Sequence, residues 1–249
     1  MQIHSVIELA RELRLSGFAD ALELQASHPG HGELPFSERL GALFLCEKEK
    51  RHNAMLSRLF KDAKLKLQAA PEDLKATPSR GFDPAQFREL LNCSWAHHGW
   101  NILISGETGT GKTWMACCIG TAAIRQSLKT KYYRVDDLLY EMALMRADGQ
   151  LLKFKTKLTK YQLLILDDFG VTPMTQQSKS DLLEIMDDRV GTKSTIFVGQ
   201  RPYNDWHAFI DDPIIADAVM DRLSSNRWHI KLKGQSRRKK EASLDDLLA

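Results

Sequence analysis

Apolar residues in the first quarter of the chain recur three and four positions apart. Ile3, Val6, Ile7, Ala10 and Leu13 mark one helix, because side chains at that spacing share one face of a 3.6-residue turn. Gly17 is expected to end or break it, with Phe18 and Leu22 on a second short helix. His28-Pro29-Gly30-His31-Gly32 reads as a loop, since proline and glycine interrupt the period. Phe36, Leu40, Leu43 and Phe44 set the stripe of a longer helix, which Leu56, Leu59, Phe60 and Ala63 resume before Pro71. Between them, Glu47-Lys48-Glu49-Lys50-Arg51 carries both signs of charge and reads as a solvated face.

The pattern changes after Pro71. Pro71 to Pro84, with Pro78 and Gly81 inside, reads as a linker. Beyond it, short apolar runs predict strands near Asn101–Ser105, Lys131–Val135, Leu163–Asp167, Thr195–Gly199 and Trp228–Leu232, with helical patterns between them. Such alternation implies a mostly parallel sheet with helices on both faces. The expected organisation is a small all-helical N-terminal domain over residues 1–70, a linker over 71–84 and an α/β domain over 85–249. The first is too small to be very stable alone.

One motif assigns chemistry to this frame. Gly106-Glu107-Thr108-Gly109-Thr110-Gly111-Lys112-Thr113 fits G-x-x-x-x-G-K-[ST], the phosphate-binding P-loop. Its glycines let the backbone turn tightly and aim consecutive N–H groups at phosphate oxygens. Lys112 adds charge at the β/γ-phosphates, and the Thr113 hydroxyl can ligate Mg²⁺. The loop follows a predicted strand and should open a helix, whose N-terminus favours anions. The run Leu163-Leu164-Ile165-Leu166-Asp167-Asp168 supplies the other half. Its apolar residues read as a strand buried on both faces. Its two acids emerge at the C-terminal end, where open α/β sheets bind ligands. Asp167 is placed to hold Mg²⁺ and Asp168 to orient or deprotonate the attacking water. Together the two motifs predict binding of ATP or GTP.

Composition narrows the alternatives. The 249 residues are 43% hydrophobic and 27% charged, ordinary for a globular protein. No stretch has the length and apolarity of a transmembrane helix. The N-terminus shows no basic region before an apolar core, so a cytoplasmic protein without membrane contact is expected. The four cysteines, Cys46, Cys93, Cys117 and Cys118, form no C-x-x-C pair and read as buried thiols rather than a zinc site. Net charge is only +3, yet eight Lys/Arg and no acid lie between Arg222 and Lys240. Arg146, Lys153, Lys155, Lys157 and Lys160 stand against Asp148 alone. Local basic clusters on a near-neutral chain suggest polyanion contact. No Asn-Lys-x-Asp run is present to read guanine, and no L-S-G-G-Q signature marks an ABC-type ATPase.

Beyond the P-loop, Leu163–Gly170 reads L-L-I-L-D-D-F-G, and the pair resembles the DnaC/IstB group of AAA+ proteins. Asp221-Arg222-Leu223 followed by Ile230-Lys231-Leu232-Lys233-Gly234-Gln235-Ser236-Arg237-Arg238-Lys239 resembles the tail of the IstB-type transposition helpers. Phe36-Ser37-Glu38-Arg39-Leu40, Ala63-Lys64-Leu65-Lys66 and Arg80-Gly81-Phe82-Asp83 resemble that family's N-terminal half. The resemblance implies a P-loop AAA+ core and an ATPase working with ATP and Mg²⁺. Gly106, Thr108, Gly109, Thr110, Gly111, Lys112 and Thr113 would cradle the phosphates, with Thr113 and Asp167 at the metal. Asp168 would be the catalytic acid, although most AAA+ proteins carry Glu there, so slow hydrolysis is expected. Gln200 would be the sensor-I polar residue, with a plain loop glutamine as the alternative. Arg222 would be an arginine finger reaching a neighbour's γ-phosphate, with a local ion pair, for instance to Asp221, as the alternative. Seventeen residues follow Leu232, too few for a full lid, so for Arg237 and Arg238 the alternatives are nucleotide sensing, DNA contact or neither.

The partners implied are duplex target DNA, a transposase and further copies of the chain in a ring or helical oligomer. Lys153, Lys155 and Lys157, taken as extended, would share one face, which with Arg146 and Arg238 forms the candidate DNA surface. A DnaC-like helicase loader and a non-hydrolysing, ATP-gated DNA-binding scaffold are the other readings.

Overall fold

In the computed structural model the described residues are 2–28, 34–73, 81, 83–224, 227–234 and 236. The chain divides into two units, Met1–Arg58 and Leu59–Ala249, and the division falls within one long helix, α3 (Phe36–Ala63).

In the first unit, α1 (Ile3–Glu12) and α2 (Ser16–Ser27) bury Ile7, Ala10 and Ala19 together. The break between them lies before Gly17, not at it: Arg14 takes a left-handed φ of 59°, and Gly17 sits inside α2. The charged run on α3 is likewise not all solvated. Glu47 is only 6% exposed. Its Oε2 accepts the N–H groups of Gly17 at 2.6 Å and Phe18 at 3.1 Å, donors that the first turn of a helix leaves without partners. Its Oε1 takes Arg51 at 2.6 Å. Cys46 on the same helix is exposed, against the expectation of four buried thiols.

The second unit is built on a five-stranded sheet of order β2-β3-β4-β1-β5. The strands are β1 (Asn101–Gly106), β2 (Thr130–Arg134), β3 (Leu163–Phe169), β4 (Ser194–Gly199) and β5 (Arg227–Leu232), and every pairing is parallel. Successive strand residues point to opposite faces, and both faces are covered. Ile102, Ile104, Ile165, Ile196 and Val198 pack with α6 (Lys112–Arg125) and with Phe87 and Leu90 of α4 (Pro84–Leu91). Leu103, Leu164, Leu166 and Phe197 pack with α7 (Val135–Ala147), α8 (Leu151–Leu158), α9 (Gln176–Asp187) and α11 (Pro213–Ser224). Two short helices, α5 (Ser94–His97) and α10 (Trp206–Ile210), complete the layers. Burial on both sides is why these strands read as unbroken apolar runs.

Two local expectations change. Val135 is not in a strand, because Arg134 caps α7, which begins at Val135 with no intervening loop. Lys153, Lys155 and Lys157 are not extended. They lie on α8, whose Phe154 and Leu158 are buried one turn apart. On a helix, residues four apart share a side and residues two apart do not, so Lys155 leaves the face of the other two.

At the N-terminal edge of the sheet, polar side chains hold the strands in place. Asn101 donates from Nδ2 to the Arg222 carbonyl at 3.2 Å and accepts the Thr195 N–H on Oδ1 at 3.0 Å. Arg189, 2% exposed, donates to the carbonyls of Tyr161 at 3.1 Å and Ser194 at 2.6 Å and to the Thr195 hydroxyl at 3.0 Å. Burial pulls its pKa down to about 9, so it stays charged at neutral pH. Replacing Arg189 by Leu would strand these carbonyls and is expected to cost about 3 kcal/mol. Urea unfolding of wild type and variant measures this; a loss under about 0.5 kcal/mol would show that the guanidinium is not holding the strand ends.

Candidate nucleotide-binding site

Topology brings the site together. The sheet order sets β4 between β1 and β3, so the P-loop, the Asp167-Asp168 pair and Gln200 all emerge at one C-terminal edge. The loop turns through positive φ at Gly106, Gly109 and Gly111 (149°, 85° and 97°), a region that side chains other than glycine's resist. Gly109 also has no room for a side chain: a Cβ there would lie 2.6 Å from the Ser236 Cβ. The chain after β5 therefore runs against the phosphate loop. Lys112 opens α6 and is buried, its Nζ donating to the Glu107 carbonyl at 2.8 Å. The Thr110 hydroxyl donates to the same carbonyl at 2.8 Å.

The two halves of the site meet at Asp167, which is 1% exposed. Its Oδ2 accepts from the Thr113 hydroxyl at 2.8 Å and from the Tyr132 hydroxyl at 2.7 Å. Its Oδ1 accepts the Asp168 N–H at 2.9 Å. Burial, and then the hydrogen bond and charge of Asp167, push the Tyr132 hydroxyl far above its ordinary pKa, so it remains a donor. Thr113 and Asp167 offer the hard oxygen donors that Mg²⁺ takes when phosphates and water complete its shell. Among the described residues no group of three or more His, Cys, Asp or Glu could hold a metal ion. Thr113 and Asp167 fit a divalent ion as part of its shell.

Asp168 sits at a register shift in the β3–β4 pairing, with a left-handed φ of 59°. Its Oδ2 accepts from Arg134 Nε at 3.0 Å, and that hydrogen bond raises the Arg134 pKa. Lys66 Nζ lies 3.9 Å from Asp167 and 3.7 Å from Asp168. Gln200 accepts from the Thr108 hydroxyl at 2.9 Å, so this residue does face the P-loop.

Arg222 is not at this edge. It ion-pairs with Asp187 of α9, not Asp221, and donates to the Ala218 carbonyl at 2.8 Å. Its own carbonyl meets Asn101, the first residue of β1, whereas the P-loop follows the last. The six residues of β1 separate them by about 20 Å. Of the proposed DNA contacts, Arg146 pairs with the buried Asp181 at 2.5 Å and Lys155 pairs with Glu184. Lys153 and Lys157 are exposed, and Arg238 lies outside the described residues.

Three neighbours of the acids were missed from sequence: Tyr132, Arg134 and Lys66. The first two had a signal. They lie on a predicted strand, and Arg134 pairs in register with Asp167, so knowing the strand order would have brought them to the acids. Lys66 was noted only within Ala63–Lys66 for its resemblance to the family's N-terminal half, and nothing tied it to the acids, since about a hundred residues separate them and no spacing rule links the two.

A family model described as IstB-like ATP binding protein matches residues 8–245. A Sinorhizobium fredii protein named for ATP binding in an insertion sequence is 38% identical over 241 residues, covering 97% of this chain and 98% of that protein. A Pseudomonas fluorescens protein named in the same way is 39% identical over 203 residues, covering 81% of this chain and 87% of that one. Among solved structures, the DnaC helicase loader is similar with a TM-score of 0.55 at 16% identity, over 69% of this chain and 100% of that chain. At such identity the likeness shows the fold alone, a parallel sheet covered by helices.

Lys112→Ala is expected to lower ATP affinity by at least about a hundredfold, because a buried charge aimed at phosphate is lost. Titration with a fluorescent ATP analogue measures it; unchanged affinity in a folded variant would remove the P-loop assignment.

Proposed function

Because the chain belongs to the IstB-like ATP binding protein family, we propose that it is an ATPase of DNA transposition, which assembles head to tail on duplex target DNA and assists a transposase. Relatives across almost its whole length are named for insertion sequences, which supports the transposition helper over a helicase loader. The observation that carries the reading is the division of the site between two ends of one sheet. The P-loop and acids occupy the C-terminal edge, and Arg222 the N-terminal edge about 20 Å away. Arg222 cannot reach its own chain's nucleotide. A second copy stacked head to tail would bring the opposite edges together, and such contacts generate rings or helices.

Lys112 and the loop N–H groups would hold the phosphates, and Thr113 and Asp167 the Mg²⁺, which neutralises charge developing on the phosphate oxygens. Water attacks the γ-phosphorus, the bond to the β–γ bridging oxygen breaks, and ADP leaves. Asp168 orients that water and takes its proton. Asp168 is shorter than the usual glutamate and is held by Arg134, so turnover is slow until assembly, DNA or a partner frees it. Arg222 from the neighbour leaves Asp187 and stabilises charge at the transferred phosphoryl group. Hydrolysis then governs release from DNA.

For DNA, the exposed Lys153 and Lys157 share one side of α8 and would meet phosphates, giving affinity with little sequence preference. Arg146 and Lys155 are already paired with carboxylates and are poorer candidates. The helical N-terminal region is available for contacts with the transposase or with other copies.

Two outcomes are expected. Arg222→Ala and Lys112→Ala proteins, each inactive alone, should regain ATP turnover when mixed, because a mixed interface unites an intact loop with an intact arginine. No recovery from folded, co-assembled variants would sink the shared site. Replacing Lys153 and Lys157 by Gln should flatten the slope of log affinity for duplex DNA against log salt by about two. A slope equal to wild type would take α8 out of the DNA surface.

A further inference from the structure

Lys66 reaches the nucleotide site from outside the P-loop and the Asp167-Asp168 strand. It follows α3, and its ammonium stands 3.9 Å from Asp167 Oδ2 and 3.7 Å from Asp168 Oδ2. Both separations exceed a hydrogen bond, so the attraction is one of charge and the ammonium is not locked to either oxygen. An exposed lysine pair contributes little. Here Asp167 is 1% exposed, which strengthens the attraction, while the Lys66 side chain at 40% and Asp168 at 23% stay open to water, which weakens it. The hydrogen bonds to Asp167 come from neutral donors, the hydroxyls of Thr113 and Tyr132 and the Asp168 N–H. Arg134 is committed to Asp168. The Lys66 ammonium lies within 4 Å of both acids.

Its position is built in. The neighbouring Leu65 packs onto the core where α6 presents Gly120. A Cβ at Gly120 would lie 2.8 Å from Ile165 Cδ1 and 3.1 Å from Leu65 Cδ2, so a larger residue would push on the ends of both side chains. The segment is thus fixed to the helix that the P-loop opens.

We propose that Lys66 is a tethered cation of the nucleotide site, a positioning residue that draws Asp167 and Asp168 together and competes with the divalent ion for them. The inference rests on the nucleotide-site reading above and adds a residue to it. Lys66 and Arg134 together balance the two carboxylates. A divalent ion at the same oxygens is opposed by the ammonium. A nucleotide carrying several negative charges is attracted by it. Removing the ammonium therefore moves two affinities in opposite directions, which loss of a mere structural prop would not do.

The test compares Lys66→Met and Lys66→Arg with wild type. Mn²⁺ alone is titrated into nucleotide-free protein and followed by electron paramagnetic resonance. A fluorescent ATP analogue is titrated separately in excess EDTA. Lys66→Met should bind Mn²⁺ at least about tenfold more tightly and the analogue at least about fivefold more weakly. Lys66→Arg should stay near wild type on both. Mn²⁺ affinity unchanged or weakened in folded Lys66→Met overturns the proposal. Should Lys66→Met fail to fold, Lys66→Gln is judged by the same two titrations. A wild-type protein that binds no nucleotide, with or without Mg²⁺, refutes the site reading itself and is recognisable as such.

Discussion

A parallel sheet covered on both faces leaves polar groups only its edges, and the rest of the second unit follows from that constraint. Ile102 and Ile104 go to one core and Leu103 to the other, so the middle of the sheet can carry no chemistry. Charged and hydroxyl groups collect where the strands end. The C-terminal edge holds the loop, the acids, Tyr132 and Gln200. The N-terminal edge holds Asn101, Arg189 and the carbonyl of Arg222. The first edge gathers Lys112, Thr113 and Tyr132 around the two acids. The other is tied up in strand-end hydrogen bonds.

How much of this the chain announces depends on distance along it. Strands such as Leu163–Leu166 and the spacing of Gly106–Thr113 are local patterns, each visible within a few residues. Asp167 and Thr113 were legible as partners because two known motifs in one chain imply one site. Glu47 was not, because its burial depends on Gly17, thirty residues earlier. Lys153, Lys155 and Lys157 misled because alternation in charge says nothing of backbone shape; the apolar pair Phe154 and Leu158, four apart, was the better guide. Lys66 was invisible for the reason Glu47 was: a side chain placed by tertiary packing has no period.

The basic residues sort by what already holds them. Arg146 faces the buried carboxylate of Asp181, Lys155 faces Glu184, Arg134 faces Asp168 and Arg222 faces Asp187. A count of positive charge thus overstates the surface open to a polyanion. Arg134, Arg222 and Lys66 each stand beside a carboxylate, so in the proposed mechanism engaging a phosphate would exchange one ion pair for another.

Asn101 gives the sheet a mechanical property. Its amide clasps the carbonyl of Arg222 on one side and the start of β4 on the other, while the same strand ends in the phosphate loop. β1 is therefore a strut with a nucleotide cradle at one end and the root of an arginine at the other. In a stack of identical copies, the length of that strut would set the rise per subunit. Any nucleotide-dependent tilt of the loop would then be passed to the next copy as a change in pitch.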